Sequence, residues 1–390
     1  MRILFIGFNA KYINPTNQLI PRLLKLFADV VFYGPGFVND SILNLGVLKF
    51  VDEHGPFDFI ATTSQLVIDS DSASIEDFYR RYSLLQWGNA SIPEFVGNAK
   101  NYMRSCEIPK VCFALDLDTY GLSPIVLDQL DRFSDYIVGC GDGFYRPLEE
   151  LPYTQFEKSF KRSVAKGIPL GLWYDFCRIR RHKFINVAHF VGLHEFDFSA
   201  TAGRSNDASV VGQLYHSRAL TLSLLKSNKK LRVVSSSYRF IFSLLDKLGY
   251  RPYSRLIPHV IYRALFKQAL CKSKISITDG SAHDHVIRKF VEIPASGALL
   301  LARPCTGFES LGFRDGESAV ILDESDPAGQ VLKLLSDPER LQAIASKGQE
   351  VVWRNHSISA RSQQIEKALN RILEGRFVGS IWRDGAFVLL

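Results

Sequence analysis

This sequence has no C-x-x-C pair and no metal-like spacing among its six cysteines, Cys106, Cys112, Cys140, Cys177, Cys271 and Cys305. That argues against a zinc module or a closely spaced disulfide framework. Most of these cysteines lie in apolar surroundings, which predicts buried free thiols in a reducing compartment. It has no visible secretory signal: Met1-Arg2 leads straight into ILFIG, too short for a signal core or a membrane span. A cytoplasmic protein is the expectation, and the sequons at Asn89 and Asn355 then read as chance. It has no G-x-G-x-x-G, because the first loop, IGFNAKYINP, carries a single glycine. This weakens a dinucleotide-dependent dehydrogenase. Internal repeats and low-complexity tracts are also lacking.

What is present suits a globular chain. Its 390 residues suffice for two domains with full cores, and 46% are hydrophobic against 22% charged. The formal net charge of +7 suits an anionic partner, either a nucleotide-sugar or an anionic membrane face, without requiring one.

The first half alternates strands with helices. Arg2–Gly7, Asp29–Tyr33, Phe57–Thr62, Pro109–Leu115 and Asp135–Gly139 read as buried strands, and Gln18–Phe27 as a helix. Such alternation predicts a doubly wound Rossmann-like sheet, with its ligand side at the carboxyl ends of the strands. Gly7, Asn9, Thr62, Thr63, Ser64, Asp116, Asp118, Gly139 and Gly141 stand there. Asp116 and Asp118 point the same way if they extend a strand. One reading makes Asp116 a general base for an acceptor hydroxyl and Asp118 a hydrogen-bond anchor, and the other makes them a solvated turn. Lys158–Lys183 holds eight lysines and arginines interleaved with aromatics, a candidate contact for anionic lipid or another polyanion, or simply a solvated face.

Ser199–Ser209 (SATAGRSNDAS) is small and polar and reads as the boundary between domains. Beyond it the alternation resumes. Ala208–Gly212, Leu231–Ser235, Arg255–Val260, Lys274–Thr278, Ala298–Ala302 and Glu317–Leu322 read as strands. Arg218–Lys226, Arg239–Leu248, Ile261–Cys271, Asp326–Leu335, Asp337–Val352 and Ser359–Leu373 read as helices. The tail, Phe377–Leu390, is apolar with two arginines, and either packs on the body or touches a membrane.

Cys271–Leu301 (CKSKISITDGSAHDHVIRKFVEIPASGALLL) carries the chemistry. A helix is expected over about His285–Ala295, ended by Gly297. A helix start that follows a strand presents unpaired N–H groups and favours an anion. Arg288 and Lys289 fall in its first turn, where cations oppose the helix dipole, and a bound diphosphate would account for them. Asp284 and Glu292 stand eight residues apart, about two helical turns.

This acid-x7-acid spacing, followed by Pro-Ala-Ser-Gly and an apolar strand, resembles the donor motif of GT-B glycosyltransferases. The wording of RKFVEIPASGALLL, FRDGESAVIL and LLSDPERLQAIASKGQEVVWRNHSISAR is closest to the spore-maturation (CgeB-like) type of group 1 glycosyltransferases, over roughly Asp207–Ile372. The resemblance implies two Rossmann-like doubly wound domains facing a central cleft. Residues 1–200 would take the acceptor and 207–358 the donor, and residues 359–390 would cross back as a helix plus tail. It implies transfer of a sugar from a nucleotide-diphosphate-sugar to an acceptor hydroxyl on a glycan, lipid-linked or protein acceptor, with no metal, no cofactor and no specific nucleic acid. Asp284, Glu292 and Asp116 become the catalytic candidates. Gly212, Gln213, Arg218, His259, His285, Arg288, Lys289 and Glu292 become donor-binding, and Gly7, Asn9, Tyr12 and Asp118 acceptor-binding. Relatives place Arg and Lys five residues apart after the first strand of the donor domain. Here Gln213 and Arg218 hold those positions, so half of that charge is missing. Retention is favoured by the acid spacing, with inversion kept open by Asp284 and Asp116. Two other readings are an epimerase or hydrolase on the same fold, and a non-catalytic protein that docks polyanions or the inner membrane face.

Overall fold

The computed structural model describes residues 1–9, 16–68, 92–115, 124–139, 153, 170–196, 203–212, 214, 216–235, 256–280 and 286–390. Two parallel sheets organise them. The first joins β1 (Arg2–Ile6), β2 (Asp29–Tyr33), β3 (Phe59–Thr63), β4 (Lys110–Ala114), β5 (Tyr136–Gly139) and β6 (Phe184–Ile185) in the order β2-β1-β3-β4-β5-β6. The second joins β7 (Asn206–Val210), β8 (Val233–Ser235), β9 (Ser273–Thr278), β10 (Leu299–Ala302) and β11 (Val320–Ile321) in the order β11-β10-β9-β7-β8.

Both faces of each sheet are covered, so residues pointing either way from the central strands are mostly buried. In the first sheet Ile3, Phe5, Phe59 and Ala61 meet Leu19 and Leu23 together with Ile365 and Leu369 from the last helix, Ile358–Leu373. Leu4, Ile6 and Ile60 face the opposite layer, with Val47, Phe50, Phe95 and Met103. In the second sheet Ala208, Ile275 and Leu299 pack with Leu225 and Ile344, while Leu300 and Ala302 pack with Phe290, Ile293 and Val352.

Strand order decides where ligands can sit. Parallel connections leave a sheet on opposite sides where the order reverses, and this opens a crevice at the carboxyl ends of the two central strands. In the first sheet that place lies between β1 and β3, and in the second between β7 and β9.

Two local expectations change, and two points left open are settled. Arg255–Val260 is not a strand, because Leu256–Cys271 is one helix. Pro258 falls in its first turn, where a missing N–H costs nothing. Leu170–Ile179, within the basic segment 158–183, is a helix, with Trp173, Phe176 and Cys177 inward. The helix expected from His285 begins at Lys289 and ends at Ala295. The tail packs on the body: β12 (Ser380–Arg383) and β13 (Ala386–Leu389) form an antiparallel hairpin. Its two-residue turn is Asp384-Gly385, at φ 50° and 78°, the left-handed pair that matches strand twist. The helix expected over Arg239–Leu248 lies outside the described residues.

The segment 186–196, between the two sheets, is held from several sides. Trp382, 2% exposed, donates from Nε1 to Asn186 O at 2.7 Å, and Asn186 bonds Ser380 through its N–H and its amide. Val191 exchanges backbone bonds with His356 and Ile358 at 3.1 and 2.8 Å. His356 is fully buried. It donates from Nε2 to Leu311 O at 2.8 Å and accepts at Nδ1 from Arg361 Nη2 at 3.1 Å, which fixes the neutral tautomer.

Candidate functional site

The β7–β9 switch point gathers charged groups. Gly212 follows β7 with φ +85°, a left-handed conformation that suits glycine. A Cβ built on Gly212 would lie 2.4 Å from Lys289 Cε and 2.7 Å from its Nζ, so the ammonium rests against bare backbone. Asp279 follows β9, is 3% exposed, and accepts from Arg218 Nε and Ser217 Oγ. Arg218, 1% exposed, sits in the helix His216–Ser227 that leaves β7. Arg288 precedes the helix Lys289–Ala295 and donates from Nη1 to Glu292, one turn on. From Nη2 it donates to Glu195 Oε2 at 2.5 Å and to Phe190 O at 3.3 Å.

The electrostatics follow from this crowding. Part of the Lys289 side chain meets solvent, but protein atoms surround its ammonium. Loss of water first, then Arg218 and Arg288, against Glu292 and Asp279, together hold its pKa down to about 8. Among the described residues four cations (Arg218, Arg263, Arg288, Lys289) face three carboxylates (Glu195, Asp279, Glu292) across this network. One positive charge is left over, and an anion arriving there would relieve the repulsion on Lys289.

Of the residues singled out from sequence, the structure brings together Gly212, Arg218, Arg288, Lys289 and Glu292. Arg288 is bound to two carboxylates and Arg218 to one. Asp284, His285, Gln213, Asp116, Asp118 and Tyr12 lie outside the described residues. His259 lies in the helix Leu256–Cys271 rather than on a strand end. At the other sheet Gly7 and Asn9 stand at the carboxyl end of β1. Asn9 donates from Nδ2 to Gly36 O at 2.9 Å, closing the neighbouring loop.

Sequence reasoning missed Asp279, Glu195 and Arg204. Asp279 had a usable signal, the first residue beyond a buried strand at a switch point. Arg204, 6% exposed, donates to Leu270 O, Ser273 O and Ser296 O at 3.2, 2.7 and 2.6 Å, stapling the turns on both sides of the site's helix and strand. The basic segment is partly committed as well. Arg180 grips Asp131 at 2.6 and 2.7 Å, and Lys183 joins it at 3.2 Å. Among the described residues no group of three or more His, Cys, Asp or Glu is placed to hold a metal ion, and no helix is long and apolar enough to cross a membrane.

Comparisons with known proteins bear on the fold. A family model described as glycosyl transferase-like matches residues 218–367. No curated protein sequence matches the chain. Among solved structures, Anabaena HepE in complex with UDP and glucose superposes with a TM-score of 0.50 at 14% identity, covering 95% of this chain and 99% of that one. Sucrose-phosphate synthase from Thermosynechococcus elongatus gives 0.53 at 10% identity, covering 96% and 100%. The DNA-modifying enzyme β-glucosyltransferase gives 0.52 at 10%, covering 95% and 100%. The chain therefore has the GT-B fold, two parallel-sheet Rossmann-like domains, and the stretch 218–367 that matches the glycosyl transferase-like model contains Arg218, Asp279, Lys289 and Glu292.

Proposed function

We propose that this protein is a nucleotide-sugar glycosyltransferase of the CgeB-like type, moving a sugar from a nucleoside-diphosphate donor to an acceptor hydroxyl in glycan, polysaccharide or glycoconjugate synthesis. The observation that carries this reading is that Lys289 lies against Gly212, with Arg218 close enough to act on its charge, at the β7–β9 switch point. The donor diphosphate lies over Gly212, between those two cations. Glu292 holds the ribose hydroxyls, and Asp284 the sugar. When the bond from the anomeric carbon to the β-phosphate oxygen breaks, the diphosphate keeps the bonding pair. Preorganised cations at that oxygen lower the barrier, each by about 3–4 kcal/mol where single donors of this kind have been removed from other enzymes. One uncompensated positive charge and two fixed donor side chains stand where a divalent metal otherwise would, so we read the reaction as metal-independent. The acid spacing favours retention of configuration.

Docking of polyanions through the segment 158–183 is less well supported, because Arg180 and Lys183 are engaged with Asp131. The acceptor lies toward the carboxyl edge of the first sheet.

A panel of UDP-, GDP-, dTDP- and CMP-sugars, UDP-glucose first, tests the reading by thermal stabilisation. A ligand at 100 times its dissociation constant adds about 2.7 kcal/mol. One nucleotide class is expected to raise the melting temperature, with or without EDTA, and to support transfer once an acceptor is supplied. A flat response across the panel refutes the proposal.

A further inference from the structure

Glu195 lies on the segment between the two sheets, 93 positions from Arg288, yet the two are joined. Its side chain is 9% exposed. Oε2 accepts from Arg288 Nη2 at 2.5 Å and from the Gly192 N–H at 3.0 Å, while Oε1 accepts from Arg263 Nη2 at 2.7 Å. Burial resists ionisation of this carboxyl. Arg288, Arg263 and the Gly192 N–H outweigh that and hold its pKa down to about 2. The pair of carboxylates on Arg288 is therefore charged throughout the neutral range on the Glu195 side. Arg288 also donates to Phe190 O, a second hold on the same segment. A continuous chain of charge-assisted hydrogen bonds thus runs from the backbone at 190–192, through Glu195 and Arg288, to Glu292.

The geometry gives this chain a purpose beyond stability. A guanidinium is planar and presents its donors in a rigid fork, so fixing one edge fixes where the other edge points. Here one edge is fixed on Glu195 and the main chain, and the other carries Glu292. We propose that Glu195 is a positioning residue for the sugar-nucleotide site: by holding Arg288 against the inter-domain segment it sets the place of the Glu292 carboxylate, and so ties donor binding to the segment that joins the two domains. The inference rests on the donor-site reading above. Without Glu195 the buried Arg288 keeps Glu292 as its one carboxylate partner among the described residues, and the fork turns toward it, drawing Glu292 away from the ligand.

The test is calorimetric binding of whichever of UDP, GDP, dTDP and ADP binds the wild-type chain most tightly. Glu195→Gln is expected to weaken binding about tenfold and Glu195→Asp less. In a Glu292→Gln background, Glu195→Gln is expected to have no further effect on affinity. Wild-type affinity in folded Glu195→Gln overturns the inference, as does a fully additive loss in the double variant. Should Glu195→Gln fail to fold, unchanged affinity in Glu195→Asp overturns it equally. A wild-type protein that binds none of the four nucleotides overturns the donor-site reading itself, a result distinct from the other two.

Discussion

Gly212→Ala isolates the contact on which the donor site turns. The new methyl carbon would stand 2.4 Å from Lys289 Cε and 2.7 Å from Nζ. Carbon atoms rest about 3.5–4.0 Å apart, so the end of the lysine must retreat by about 1 Å or more. If the ammonium lies about 3 Å from a phosphate oxygen, moving it to about 4 Å at an effective dielectric of about 20 weakens the attraction by about 1.4 kcal/mol, or about tenfold in affinity. The backbone adds a separate penalty of about 1–2 kcal/mol in stability, since alanine is strained in the left-handed region that Gly212 occupies. Gly316→Ala separates the two effects. Gly316 has φ +72° and open space where its Cβ would go, so it carries the backbone penalty alone. The assay is calorimetric affinity for the best nucleotide of the panel, beside thermal melting. Both variants should melt lower, and only Gly212→Ala should bind about tenfold more weakly. Equal affinity in the two would show that Lys289 does not meet the diphosphate.

Two pH dependences follow from the same groups and from the buried histidine. Lys289 has its pKa held down to about 8, so the free protein loses this charge as pH rises past 8, well before an ordinary lysine. Nucleotide affinity should be level below pH 8 and fall above it, and Lys289→Met should bind weakly with no such step. An unchanged step in that variant would assign it to another group. His356 is buried and neutral, with burial first and Arg361 second lowering its pKa to about 3. Its folded pKa is below the unfolded one, so the unfolded chain takes up the proton first. Stability is full above about pH 6.5 and declines as pH falls toward 3, by about 2 kcal/mol at pH 5. Urea midpoints at pH 7 and pH 5 should therefore differ more in the wild-type chain than in His356→Gln, and equal differences would refute this.

Much of the fold was legible because it rests on local patterns. KISIT alternates isoleucine with polar residues and ALLLA is apolar throughout, and both are short runs that read as buried strands. Asp326-Pro327 and Asp337-Pro338 announced two helix starts, and in each the aspartate accepts from the N–H three residues on. The same reasoning failed at Arg255–Val260, where one proline in a short apolar run reads equally as a strand edge or a first helical turn. It left the tail undecided, although Asp384-Gly385 between apolar runs is a hairpin signal in its own right.

Which charges meet is another matter. Composition and spacing alone placed Arg218, Arg288, Lys289 and Glu292 on candidate elements, because helical and strand periods depend only on near neighbours. They did not reveal that Arg288 would face Glu195 and Glu292, or that Lys289 would lie on Gly212 beside Arg218. Arg288–Glu292 spans only four positions, but Arg218–Asp279 and Arg288–Glu195 span 61 and 93, and these form only after two sheets and the segment between them have closed their cores. A side chain's charge is written in the sequence. Whether that charge is neutralised in place or left over for a ligand depends on desolvation and on partners that folding brings from elsewhere in the chain.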